Sequence, residues 1–151
     1  MSQPQPGDVV SLGGRERLTI THLTDDLLEV AAEWDAAASD HRPPAHLHPN
    51  QDEHFVVHEG ELTAAVAGVE RVLRAGDTLE VPRGTPHAMW NAGDGPARAT
   101  WQVRPALRTA QLWAAIDGAS RAGGRRPTPE EGARLLEEYA PEFRLVLPPG
   151  A

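Results

Sequence analysis

"HLHPNQDEHFVVHEG", His46 to Gly60, carries four histidines and three acidic residues inside a run that otherwise reads as β-strand. Burying so many titratable side chains is costly unless they are paired or bind a metal. In a strand, alternate side chains share a face. His46 and His48 therefore point one way, with Leu47 opposite. Pro49 and Asn50 are turn formers and break the strand. Glu53 opens the next one, and an antiparallel return brings it beside the histidine pair. From there Glu53, Phe55 and Val57 take one face, and His54, Val56 and His58 the other. The second set is expected to face outward, with Glu59 outward or in the turn.

The neighbouring sequence has the same character. "RLTITHL" places Leu18, Ile20 and His22 on one face. "LLEVAAEWD" alternates Leu28, Val30, Ala32 and Trp34 against Glu29, Glu33 and Asp35. "EHFVVHEGELTAAVAG" predicts two strands joined as a hairpin around Glu59-Gly60. Downstream, "AGD", "PRGTP" and "NAGDGP" punctuate further short strands. Many short strands at this spacing indicate an antiparallel sandwich or barrel.

After Pro105 the pattern changes to helix. "ALRTAQLWAAIDGAS" has helical apolar spacing at Leu112, Ala115 and Ile116, with Gly118 as the expected C-terminal cap. "TPEEGARLLEEYAPEF" predicts Thr128 as N-cap, Pro129 at the first helical position and Glu131 completing a capping box. Leu135, Leu136 and Tyr139 form its apolar face, and Pro141 stops it. "SRAGGRRPTP" between the helices reads as a solvated basic loop. The two helices are expected to pack on the β domain, or else to cover a dimer interface.

Composition narrows the function classes. The 151 residues suit one domain, residues 1–151, with a core barrel at about 8–104 and a helical appendage at about 105–151. With no cysteine, disulfides, thiolate zinc sites and a cysteine nucleophile are excluded. All 14 basic residues are arginine, which removes lysine Schiff-base chemistry. The net charge of −8 argues against nucleic-acid or anionic-membrane partners. No leader-like segment or membrane-length apolar run is seen, so a soluble, cytoplasmic protein is expected.

A His-x-His pair alone is a weak signal. A second stretch, "GDTLEVPRGTPHAMWN", strengthens it by placing His87 after a Pro-Arg-Gly-Thr-Pro turn. A third imidazole there completes a set of three nitrogens and one carboxylate oxygen. Together the two stretches resemble the paired motifs of the cupin superfamily. His46, His48, Glu53 and Gly60 match the first motif, and Gly76, Pro82, Gly84, His87 and Asn91 the second, at the family spacing. One position departs, Asp40 standing where a glycine usually opens the first motif. The resemblance implies an all-β, cupin-type jelly-roll β-barrel, here with two short C-terminal α-helices. It also implies one divalent metal ion per chain held by His46, His48, Glu53 and His87. Asn91 is assigned a structural role at a strand end.

Such a donor set suits iron, manganese, nickel, cobalt, copper or zinc. Four protein ligands on an octahedral ion leave two positions for water, substrate or dioxygen. Trp34, Phe55, Met89 and Trp101 are candidates to line the pocket. For the last strand the choice is open between Trp101 with Val103 and Thr100 with Gln102. This lining suits a small apolar or aromatic molecule bearing oxygens. The resemblance implies a metal-dependent oxygenase or an isomerase or cyclase, with a non-catalytic binding or sensing module as the alternative. A homodimer is expected, because jelly-roll sheets expose edges that pairing covers.

Overall fold

The alternation of Leu28, Val30, Ala32 and Trp34 builds a strand with all four side chains buried, as expected. It is one of eleven strands in a computed structural model that describes residues 3–12, 16–36, 43–123 and 128–146. Asp40, His41 and the loop arginines Arg125 and Arg126 lie outside the described residues. The strands are β1 (Val9–Ser11), β2 (Glu16–Leu23), β3 (Leu28–Trp34), β4 (His46–Leu47), β5 (Asp52–Glu59) and β6 (Glu61–Val66). They continue as β7 (Val69–Arg74), β8 (Thr78–Val81), β9 (His87–Trp90), β10 (Ala97–Arg104) and β11 (Arg144–Leu145). Helices α1 (Thr109–Gly123) and α2 (Pro129–Glu138) precede the last strand.

One sheet has six strands in the order β1-β2-β3-β10-β5-β8, the other five in the order β11-β4-β9-β6-β7. Every pairing is antiparallel. The chain crosses repeatedly from one sheet to the other, and inward side chains of both sheets make the core. Leu18, Ile20, Leu28, Val30, Val57, Leu62, Leu73 and Val103 are its largest fully buried apolar members. This is the cupin fold, mostly β, with two helices at the C-terminal end.

Three local expectations are corrected. Glu59-Gly60 joins no hairpin, since β5 and β6 belong to different sheets. Gly60 is a single-residue crossing at φ +76°, where a Cβ would collide with the Pro96 carbonyl oxygen. A short turn signal does not reveal which sheet the next strand joins. The tight hairpin is instead β6–β7, through Ala67 and Gly68, both at positive φ, as primed turns require. His22 does not share a face with Leu18 and Ile20. Ile20 pairs with Val30 but His22 with Glu29, so one extra residue sits on β2 and the bulge leaves His22 exposed. Gly118 does not cap α1, which runs on to Gly123. An interior helical glycine costs only about 1 kcal/mol relative to alanine, too little to end a helix by itself.

The second helix forms as read. Thr128 accepts from the Glu131 backbone N–H, the Glu131 side chain accepts from the Thr128 N–H, and Pro129 is at the start. The chain then returns as β11 along the edge of the five-stranded sheet, with Leu145 opposite His46. Both helices face a cavity in the barrel rather than turning away from it. No described helix is long and apolar enough to cross a membrane.

Candidate metal centre

The barrel brings together all four side chains singled out in the sequence. His46 on β4 stands opposite His87 on β9. His48 follows the end of β4, where its carbonyl accepts from the Gly84 N–H at 2.8 Å, tying the Pro-Arg-Gly-Thr-Pro turn to the histidine pair. Gly84 takes the positive φ, +77°, that this turn needs. Glu53 comes from the other sheet, on β5, between Val103 and Val81. One donor atom from each of His46, His48, Glu53 and His87 lies within 4.8 Å of the others, and the last three residues are buried.

The orientation of the rings is fixed from outside the cluster. His48 Nδ1 lies 2.8 Å from the Glu142 carbonyl and His87 Nδ1 2.9 Å from the Thr85 carbonyl. A carbonyl only accepts, so each Nδ1 carries a proton, and in the neutral ring each Nε2 then presents a lone pair. Those lone pairs point at Glu53 Oε1, at 3.1 Å from His48 and 2.8 Å from His87. Glu53 Oε2 accepts instead from the Trp101 indole N–H at 2.6 Å. Acceptors thus face acceptors. His48 Nε2 and Glu53 Oε1 have no hydrogen-bond partner among the described residues. Buried acceptors in this state are expensive, and a cation placed among them removes the cost. Three imidazole nitrogens and a carboxylate oxygen are a donor set that fits a divalent transition metal.

The electrostatics agree. In the competing state with a proton between the rings and the carboxylate, burial pushes the Glu53 carboxyl up, but hydrogen bonds and charge from the facing His48 and His87 outweigh it and hold the group well below the usual carboxylate range. Burial pushes His48 down, and its contacts with Glu53 more than reverse that. His46 is pushed down to about 3, first by burial and then by His87 and His48, so it is a neutral imidazole at physiological pH. A proton on His48 and a metal ion are therefore competing ways of neutralising Glu53.

The C-terminal segment completes the surroundings, which sequence reasoning missed. The Phe143 ring stacks on His46, centroids 4.8 Å apart and planes 22° apart. The buried Glu142 carboxylate accepts from the Arg108 backbone N–H, Nε and Nη2 at 2.8–3.0 Å. That grip pins the segment to the start of α1, so that the Glu142 carbonyl can orient His48. The only signal in the sequence is an acidic and an aromatic residue after a helix-stopping proline, which has no specific meaning by itself.

Above the cluster lies a cavity of about 430 Å³. Trp34, Phe55, Met89 and Trp101 all line it. The open choice on β10 falls to Trp101 and Val103, which point inward. Thr100 turns out to His58 at 2.7 Å and Gln102 to Glu29 at 2.8 Å. Trp101 is packed between Phe55 and Trp113, at centroid distances of 5.2 and 4.9 Å. The helices add Ile116, Leu135 and Leu136, and the residue capping the end of α2 adds Tyr139. His54 faces outward and pairs with Glu80, and Glu59 pairs with Arg98 at 2.7 Å. Asn91 bridges a turn, donating to the Asp35 and Gly95 carbonyls and accepting from the Gly93 N–H.

Comparison with known proteins agrees with this geometry. Over 49 residues the chain is 49% identical to oxidoreductase iacF of Pestalotiopsis fici, covering 32% of this chain and 24% of that protein. Over 60 residues it is 38% identical to the tetracenomycin polyketide synthase protein TcmJ of Streptomyces glaucescens, covering 40% of each. The match thus spans about a quarter and two fifths of those relatives' lengths. An RmlC-like cupin structure from Shewanella frigidimarina superposes with a TM-score of 0.58 at 24% identity, over 70% of this chain and 90% of that one, a likeness of fold. Residues 33–103 match the family described as the cupin domain. Residues 33–103 are therefore a cupin domain, and its His/Glu cluster is of the kind typical of metal-binding cupins.

Proposed function

We propose that His46, His48, Glu53 and His87 hold one divalent transition metal, and that the protein is a metal-dependent oxidoreductase of the oxygenase type acting on a small apolar or aromatic molecule with metal-facing oxygens. The observation that carries this reading is the pair of buried, unpartnered acceptors, His48 Nε2 and Glu53 Oε1, at the floor of an apolar cavity. The bound metal supplies Lewis acidity and, if it is iron, manganese or copper, a redox couple. The chain's own residues do the rest. The carbonyls of Glu142 and Thr85 keep two imidazoles in the metal-binding tautomer, Trp101 fixes the carboxylate, and the indole and aliphatic walls exclude water. The short match to a named oxidoreductase supports the redox class, and the match to a polyketide synthase protein supports an aromatic or polyketide-like ligand.

The test is elemental analysis of protein purified from metal-supplemented medium. One metal per chain is expected, with loss of metal and of metal-dependent thermal stabilisation in His46→Ala. No metal, with the variant unchanged, ends this reading. Oxygen uptake by iron-loaded protein across catechols, flavonols and diketones then tests the reaction class. A binding module that does not turn its ligand over is favoured by the scarcity of acid–base groups, since outside the cluster the described lining carries only Glu16 and Tyr139. Silence in the uptake assay, with tight binding by native mass spectrometry, selects it. Self-association is also part of the proposal, because β7 is a sheet edge that exposes Val69 and Val72. A monomer by light scattering at micromolar concentration removes it.

A further inference from the structure

A second glutamate faces the same cavity and has no part in the cluster. Glu16 opens β2, directly opposite Trp34 on β3, and both side chains line the cavity. The carboxyl of Glu16 hydrogen-bonds to the Trp34 side chain, whose indole N–H is the only polar group it has to give. The strand register places this pair far from the cluster. Trp34 pairs with Ala97 on β10, and Glu53 with Val103. At roughly 3.3 Å per residue the two positions are up to about 20 Å apart along the strand. The register sets only this upper bound, and an elongated molecule of two or three rings is the kind of ligand that spans such a cavity from one end to the other. The wall between them is apolar, with Met89, Trp101 and Ile116 among its members.

A carboxyl in such a place needs a reason. The cavity leaves Glu16 partly accessible, but burial pushes it up to about 7 against the lowering effect of the Trp34 hydrogen bond. Near neutral pH much of it is a neutral acid, able both to donate and to accept. Trp34 provides a single donor, so hydrogen-bonding capacity remains directed at whatever fills the cavity.

We propose that Glu16 is a second polar anchor of the cavity, hydrogen-bonding a hydroxyl or carbonyl at the far end of an elongated, largely aromatic ligand whose near end carries the oxygens facing the His/Glu cluster. The proposal rests on the metal-centre reading for the near end and adds the chemistry of the far end. A site that hydrogen-bonds a ligand group discriminates against the analogue lacking it, because the buried protein group is then left unpaired. An all-apolar ligand would strand Glu16 in that way.

The test uses flavonol and its analogue with a para-hydroxyl on the distal ring. The two share the chelating hydroxy-ketone and differ by one hydroxyl at the other end. Each is titrated by fluorescence onto the full chain loaded with zinc, which is redox-inert, and onto the same protein stripped with a chelator. Wild type is expected to bind the hydroxylated probe about tenfold more tightly than the parent. In Glu16→Leu, and in Glu16→Ala as a second variant should the first fold poorly, that ratio is expected to fall to about one. A ratio near one in wild type, or a wild-type ratio in either folded variant, overturns the proposal, and so does failure of both probes to bind. Stripping the metal reports separately on the near end. It weakens both probes alike if the cluster holds the chelating end, and a preserved preference without any metal effect removes the metal reading while leaving Glu16 in place.

Discussion

Glu53 and Glu16 are two glutamates near the starts of strands in one sheet, both turned toward the barrel interior, and their surroundings drive them in opposite directions. Glu53 has Trp101 on one oxygen and His48 and His87 on the other, and it is held well below the usual carboxylate range. Glu16 has Trp34 and apolar walls, and it is pushed up to about 7. Burial raises both. The partners decide the outcome, because only a positive or proton-donating neighbourhood repays the loss of water around a carboxylate. The same side-chain type thus gives the cavity one end built for a cation and another that is close to neutral.

The comparison breaks most visibly at Glu53. Glu53→Gln is expected to lower metal affinity by about a hundredfold or more, measured by competition with a chromophoric chelator. Glu16→Gln is expected to leave metal stoichiometry unchanged, and equal metal loss in both variants would erase the distinction. The next effect is on pH dependence. The folded-state value of Glu16 lies above the unfolded one, so its contribution to stability is complete below pH 4.5 and is lost as pH rises to about 7. Thermal melts of wild type should therefore fall relative to Glu16→Gln across that window, by up to about 3 kcal/mol. Parallel melting curves would show that Glu16 titrates in the folded protein as it does in the unfolded chain.

Smaller effects sharpen the picture of Glu53. Trp101→Phe leaves Oε2 without its donor and should weaken metal binding by about tenfold with the cavity shape largely kept. Arg108→Met releases the Glu142 carboxylate, and through the Glu142 carbonyl it should weaken the hold on His48. A lower melting temperature and about a threefold loss of metal affinity are expected. An unchanged metal affinity there would mean that the carbonyl contact follows the ring rather than directing it.

Much of the near end was legible in the sequence because its signals are local. Strand alternation separates His46, His48 and Glu53 from His54 and His58, and the second motif fixes His87 by a turn of five residues. The capping box of α2 is local in the same way. The misses are non-local. Whether β6 stays in the sheet of β5 depends on the packing of both sheets around Gly60. The bulge that turns His22 outward depends on the register with β3. Glu142 and Phe143 act on residues about a hundred positions earlier, and Glu16 reads as an ordinary charged strand end until the helices close over the cavity. No window of sequence contains both partners of these contacts.

The hydrogen bond from His48 to the Glu142 carbonyl spans 94 residues, and it has a consequence for the order of synthesis. The barrel strands leave the ribosome well before residues 142–145, so a nascent barrel has its histidines but not the group that sets the tautomer of His48 or the ring that stacks on His46. Full metal affinity is therefore expected only once residues 142–145 have been made. A ribosome-stalled chain of which only residues up to 141 have cleared the exit tunnel should capture metal more weakly than one that also exposes residues 142–145, because the centre joins groups about a hundred residues apart in the order of synthesis.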